Sequence, residues 1–169
     1  MDEAKMEQFS AAKKTAIVRS YSEAARELVK DISVAKREIY LASRFFEPMI
    51  GNKLLSKFAE GLSIHVLDGN SSGVSFEERI RAASVHDSKN RDLMLKMLDT
   101  PGIIIQTNML SYSFSVFDGK QCGVELINPT NPDDFYCAIK MEDPELAKGL
   151  IEMFNDLAKP REKEIARYA

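Results

Sequence analysis

The spacing of apolar residues changes at Pro101-Gly102, and this change restricts the chain to a mixed α/β sheet. Before it, segments apolar at every second position alternate with segments apolar at every third or fourth. These are the repeats of strands and helices. After it, four strand-like segments follow with little between them. Strands joined through helices lie parallel, whereas strands joined by tight turns lie antiparallel. The expected fold class is therefore α/β: a mixed sheet of alternating β-α units, then an antiparallel meander and a C-terminal helix. Helices should cover both faces.

Residues 1–14 read as an N-terminal helix or linker, polar from Glu3 to about Lys14 with Met6 and Phe9 three apart. Residues 15–169 form the domain proper. Thr15–Arg19 is a short strand. Ser20 and Glu23 have capping-box spacing and open a helix with Tyr21, Ala24, Leu28, Ile32 and Ala35 on one face. Glu38–Ser43 is a strand. Pro48 opens a helix carrying Ile50, Leu54 and Phe58, and Gly61 ends it. Leu62–Leu67 is a strand, and Asp68–Gly73 is a polar loop. Ser75 and Glu78 repeat the capping-box spacing, and a further helix runs from about Ser88 to Leu98. The four strands after it are Ile103–Thr107, Tyr112–Phe117, Cys122–Ile127 and Phe135–Met141, with a hairpin turn at Asp118-Gly119. Asp143 and Pro144 start the last helix, which turns Leu146, Leu150, Ile151, Phe154 and Leu157 inward and ends at Pro160.

The 169 residues are 44% hydrophobic and 29% charged, which suits one globular domain with one sizeable core. The net charge of −3 lacks the basic surplus of chains that live on phosphate contacts, so direct nucleic-acid binding is not expected. Cys122 and Cys137 fall on strands and read as reduced core thiols. No apolar run reaches the ~18 residues of a membrane span. Met1-Asp2-Glu3-Ala4-Lys5 lacks a signal-peptide core, so a cytoplasmic location without membrane contact is expected. The glycosylation match Asn70-Ser71-Ser72 is then fortuitous.

Complete catalytic motifs are missing. His65 lies mid-strand and reads as a packed, hydrogen-bonded histidine. His86 beside Asp87 reads as solvated. The two are not at metal-ligand spacing and Cys-x-x-Cys does not occur, so neither metal nor cofactor is expected. There is no nucleophile elbow, P-loop or dinucleotide fingerprint. Ligands of open α/β sheets gather beyond the carboxyl ends of strands, which singles out the Asp68–Gly73 loop. Alternation puts Ser111, Ser113 and Ser115 on one face of their strand and Tyr112, Phe114 and Val116 on the other. The serine face is either solvated or lines a pocket. Lys120, Glu125 and Lys140 also lie on the meander.

The order of elements and the stretch Ser111-Tyr112-Ser113-Phe114-Ser115-Val116-Phe117-Asp118-Gly119-Lys120 resemble a phospholipase D-like half-domain. Active members carry His-x-Lys-x-x-x-x-Asp there, the histidine attacking phosphorus and the lysine binding phosphate. Asp118 falls on the aspartate position, but Ser111 and Ser113 replace histidine and lysine. A serine without a base is a weak nucleophile, so the resemblance implies a catalytically degenerate domain and no enzyme. Val116 to Lys120, Glu125-Leu126, the Asn-Pro loop, Ala138-Ile139 and Asp143 to Ala147 look like effector domains of archaeal transcription regulators. These are the TrmB-like regulators and the middle domain of the methanogenesis-regulator family. Such regulators carry a winged helix ahead of the effector domain, and only the short helix precedes Thr15 here, so the DNA reader is expected to lie outside this chain.

The resemblance implies a ligand-sensing or dimerisation domain that takes a small-molecule effector and forms a homodimer. Its pocket is expected at Ser43 and Arg44, at Asp68, Asn70 and Ser72, and at Ser111 and Ser113. Arg44 would offer its guanidinium fork to a carboxylate or phosphate. One alternative is a phosphodiesterase with a rearranged site that recruits His65 or His86. Another is an interaction module docking through Met6 and Phe9.

Overall fold

A computed structural model describes residues 14–45, 47–69, 88–108 and 110–158. The N-terminal helix, the capped helix at Ser75, His86 and the end at Pro160 lie outside the described residues. So do Asn70 and Ser72. The elements in chain order are β1 (Thr15–Val18), α1 (Tyr21–Val34), β2 (Glu38–Ser43), α2 (Pro48–Ala59), β3 (Ser63–Gly69), α3 (Ser88–Leu98) and β4 (Ile103–Asn108). Then come β5 (Phe114–Phe117), β6 (Gln121–Ile127), β7 (Phe135–Glu142) and α4 (Pro144–Ala158).

They build one seven-stranded mixed sheet in the order β1-β7-β6-β5-β2-β3-β4. Strands β2, β3 and β4 are parallel, whereas β2-β5, β5-β6, β6-β7 and β7-β1 pair antiparallel. The first strand after Pro101-Gly102 therefore joins the parallel half rather than the meander. It follows helix α3, so β3-α3-β4 is a crossover unit.

The terminal signals act where the sequence puts them. The Glu23 amide donates to Ser20 Oγ (3.2 Å), and the Glu23 carboxylate reaches back to the Arg19 amide. Asp143 Oδ1 accepts from the amides of Glu145 and Leu146 at the start of α4. Asp118 and Gly119 both have positive φ, 53° and 69°, and the Lys120 amide closes the turn on the Phe117 carbonyl (3.2 Å). This is the left-handed two-residue hairpin turn that the asparagine- and aspartate-glycine pairs favour.

Two apolar clusters sandwich the sheet. On one face Ile32 of α1, Ile50 and Leu54 of α2 and Met97 of α3 pack on Ile39, Leu41, Ile64, Val66, Ile103 and Phe117. On the other, Ala147, Leu150 and Phe154 of α4 pack on Ala42, Leu67, Phe114, Val116 and Cys122.

The position of α1 shapes the functional surface. It connects β1 to β2, which stand four places apart with β7, β6 and β5 between them. Four strand spacings span ~19 Å, and a 14-residue helix is ~21 Å long. One helix therefore crosses the faces of three antiparallel strands, with room left beneath it.

Candidate functional site: a cleft beneath the crossover helix

A cleft of about 100 Å³ lies between α1 and the sheet, lined by Tyr21, Leu28 and Asp31 above and by Leu41, Ser115, Gly123 and Lys140 below. The floor follows from strand register. Leu41, Ser115, Gly123 and Lys140 are successive partners across β2, β5, β6 and β7. The next row is Glu125, Ala138 and Val18. Ser115 is buried, while its neighbours Phe114 and Val116 point to α4. The serines at 113 and 115 thus face the cleft and the intervening aromatic faces the opposite core.

One end of the cleft is closed by a buried ion pair. Arg44 Nη2 and Nε donate to Glu125 Oε1 and Oε2 at 2.5 and 3.1 Å, with the two side chains 7% and 2% exposed. Arg44 Nη1 donates to the Pro132 carbonyl (2.7 Å), and the Ser113 amide donates to Glu125 Oε2 (2.7 Å). Ser113 Oγ accepts from the Arg44 amide (3.0 Å). The fork expected to receive a ligand anion is thus engaged with Glu125.

The other end carries a second charged group. Lys140 Nζ donates to Glu27 and Asp31 of α1, both at 2.9 Å. Burial pulls the Lys140 ammonium down, but the hydrogen bonds to Asp31 and Glu27 outweigh it and hold it above its ordinary value. Lys30 and Lys140 together hold the Glu27 carboxyl down at about 2. Burial pushes Asp31 up against the pull of Lys140. Near the entrance, Tyr21 makes edge contacts with the rings of Phe45 (5.1 Å) and Phe135 (5.9 Å) and donates to Glu47 (2.7 Å).

Of the residues expected at the site, Ser43 and Ser113 line this cleft and Arg44 closes its end. Ser43 Oγ is engaged by Phe45 through the carbonyl (2.6 Å) and the amide (3.1 Å). Asp68, paired in register with Ser43, is buried and lines an adjacent cavity of about 30 Å³. Ser111 is exposed ahead of β5. Glu27, Asp31 and Gly123 were not expected there, and Lys140 stood out on the meander without being placed in the site. The signals for them were a lysine between apolar residues inside a strand and two carboxylates four apart beside Leu28.

Asp118 sits at the far end of β5. Its carboxylate accepts the amides of Lys36 (3.0 Å), Arg37 (2.8 Å) and Glu38 (3.2 Å). Burial works against its charged form, but these amides prevail and hold the carboxyl below its ordinary value. The motif aspartate thus pins the hairpin to the loop between α1 and β2.

His65 stacks on Tyr40 (4.6 Å) and contacts Phe154, which places it on the α4 face, across the sheet from the cleft. Its Nε2 meets Ser63 Oγ at 2.9 Å, and burial lowers its pKa. Among the described residues, no group of three or more His, Cys, Asp or Glu is placed to hold a metal, and no helix is long and apolar enough to cross a membrane.

No protein-family model and no curated protein sequence matches the chain. Solved structures do. TrmBL2, an archaeal chromatin protein whose structure shows a novel mode of DNA binding, matches with a TM-score of 0.64 at 12% identity. The match covers 90% of this chain and 58% of TrmBL2. Nuc of Salmonella typhimurium, a phospholipase D family member, matches at 0.59 and 16% identity over 86% of this chain and 93% of its own. NucT from Helicobacter pylori matches at 0.60 and 14%, over 86% and 95%.

These matches correct the expectation, drawn from Ser111 and Ser113, that the chain is not an enzyme. Its structural relatives include a member of a family named for a hydrolase, so the architecture is one that also serves enzymes. Replacement of two motif residues on one strand says what those positions lack and does not fix the use of the whole fold. The chain has the phospholipase D-like fold, shared with Nuc, NucT and the TrmB-like protein TrmBL2.

Proposed function

We propose that this chain is the ligand-sensing domain of a cytoplasmic transcription regulator, and that a small-molecule effector binds in the cleft beneath α1. The observation that carries this reading is the cleft itself. It is a largely apolar recess with a few convergent polar groups: Ser115 and Lys140 on strands, Ser113 just ahead of β5, and Asp31 on α1. Its roof, α1, joins β1 to β2 along the chain. A ligand that bridges roof and floor would fix that helix and alter the β1 edge. The fold shared with TrmBL2 supports a place in a DNA-associated assembly. In this reading the DNA contacts belong to a partner domain, as the acidic balance of the chain suggests.

The domain works as a homodimer in this reading. Ile17 of β1 and Leu126 of β6 are 56% and 40% exposed on the sheet face that α4 leaves bare, and Ile139 lies between their strands on the same face. Such a patch suits a second copy.

A thermal-shift screen of sugars, amines, alcohols and organic acids, run alongside light scattering, tests the reading. A ligand at 100 times its Kd adds about 2.7 kcal/mol, and for a chain of this size that raises Tm by about 5–10 °C. Scattering at the mass of two chains is the expected state. No shift across the screen, or a monomer at all concentrations, contradicts the corresponding half of the proposal.

A further inference from the structure

The row Ser115, Gly123, Lys140 has a gap in its middle. A Cβ on Gly123 would stand 2.9 Å from Ser115 Oγ, closer than real contacts allow, so the absent side chain is what leaves the hydroxyl open to the cleft. The charges that face the gap are shared unevenly. Among the described residues lining the cleft, Glu27, Asp31 and Glu125 are acids and Lys140 is the one cation. Lys140 is held by Glu27 and Asp31, and Arg44 behind the wall is held by Glu125. Glu27 has a second partner in Lys30, but that side chain is 70% exposed outside the cleft, so within it Lys140 alone serves two carboxylates. An entering anion would meet cations already paired and carboxylates whose repulsion a low dielectric magnifies. An entering cation would meet carboxylate oxygens with acceptor capacity to spare. The remaining walls are apolar and aromatic, Tyr21 and Phe135 among them, and suit the apolar body of a ligand. A cavity of about 150 Å³ holds benzene; this cleft of about 100 Å³ is smaller but open to solvent, so a single ring would sit with part of it at the mouth.

Resting on the cleft as the ligand site, we propose that its ligand class is a small hydrophobic amine. The apolar body lies against Tyr21, Leu28 and Phe135, and the protonated amine is received by Asp31 on the roof and Ser115 on the floor.

Titration of the full chain with benzylamine, benzyl alcohol and benzyl phosphate, followed by calorimetry and by amide NMR shifts, tests this. Benzylamine should bind about tenfold more tightly than the alcohol, the difference a charge-assisted hydrogen bond supplies, and the phosphate should not bind. Asp31→Asn should remove the preference for the amine and leave the alcohol unaffected. Lys140→Gln vacates the place between Glu27 and Asp31, so it should tighten the amine. This second variant keeps the test decisive if Asp31→Asn fails to fold. Gly123→Val should close the cleft to both binding compounds. Equal binding of amine and alcohol, or a preference for the phosphate, overturns the amine assignment while the cleft stands as a ligand site. Binding of none of the three, with no shifts around α1 and β5 to β7, overturns both.

Discussion

At the scale of single residues, two carboxylates brace the sheet, Glu125 at the cleft and Asp118 at the far end of β5. Glu125 is buried, so its charge is tolerated only while Arg44 and the Ser113 amide satisfy it. Arg44→Met should cost about 3–5 kcal/mol by stranding that charge. The double variant Arg44→Met with Glu125→Leu should recover most of the loss, and urea unfolding of the set measures it. A loss equal in the single and double variants would mean that the pair contributes through packing alone.

Asp118 acts differently, as a half-exposed clamp on three amides. Asp118→Asn should cost about 1 kcal/mol at neutral pH, since a charge-assisted acceptor is exchanged for a neutral one at a screened position. Its folded carboxyl lies below the ordinary value of 3.8. Its contribution is therefore complete above that value and is lost as pH falls through the folded value. Chemical denaturation between pH 5 and pH 2 should show a shallower acid decline in the asparagine variant, by an amount on the order of one carboxylate's linkage.

At the scale of elements, the β5-β6 hairpin depends on two turn residues in the left-handed region. Gly119 has a φ of 69°, and a Cβ there meets Glu38 Oε1 at 3.5 Å and Arg37 Nη2 at 4.0 Å, both ordinary contacts. The penalty of Gly119→Ala is thus conformational and should be about 1 kcal/mol, read as a lower Tm without change in the sheet's spectroscopic signature. The place of the hairpin turn, the Ser20 and Asp143 caps and the full extent of β2 were legible in the sequence, because each depends on residues within a few positions of each other. The sides of β5 were legible as well, since a strand's period of two sorts Ser115 from Phe114 and Val116. The neighbours of β1 and β4 were not. Whether Ile103–Asn108 continues a meander or completes a crossover depends on where α3 packs, and β1 pairs with a strand more than a hundred residues away.

At the scale of the whole molecule, the cleft exists because one helix bridges β1 and β2 across three inserted strands. That explains why the site was only partly readable. Ser43 follows from the rule that ligands gather at strand ends, and Ser113 from the alternation that gives its strand a serine face. Glu27, Asp31, Gly123 and Lys140 converge only after β5, β6 and β7 have slipped beneath α1, and no local pattern announces that insertion. Arg44 shows the converse: its position was legible, but its engagement by Glu125 was not, because the partner lies 81 residues away.

An amide NMR titration of the full chain with a small-fragment library tests ligand capture beneath the crossover helix most directly. The account predicts saturable shifts at Tyr21, Leu28, Ser115, Gly123 and Lys140, with His65 and the α4 face unmoved. Shifts that centre on Ser111 or His65 and bypass these residues would contradict it.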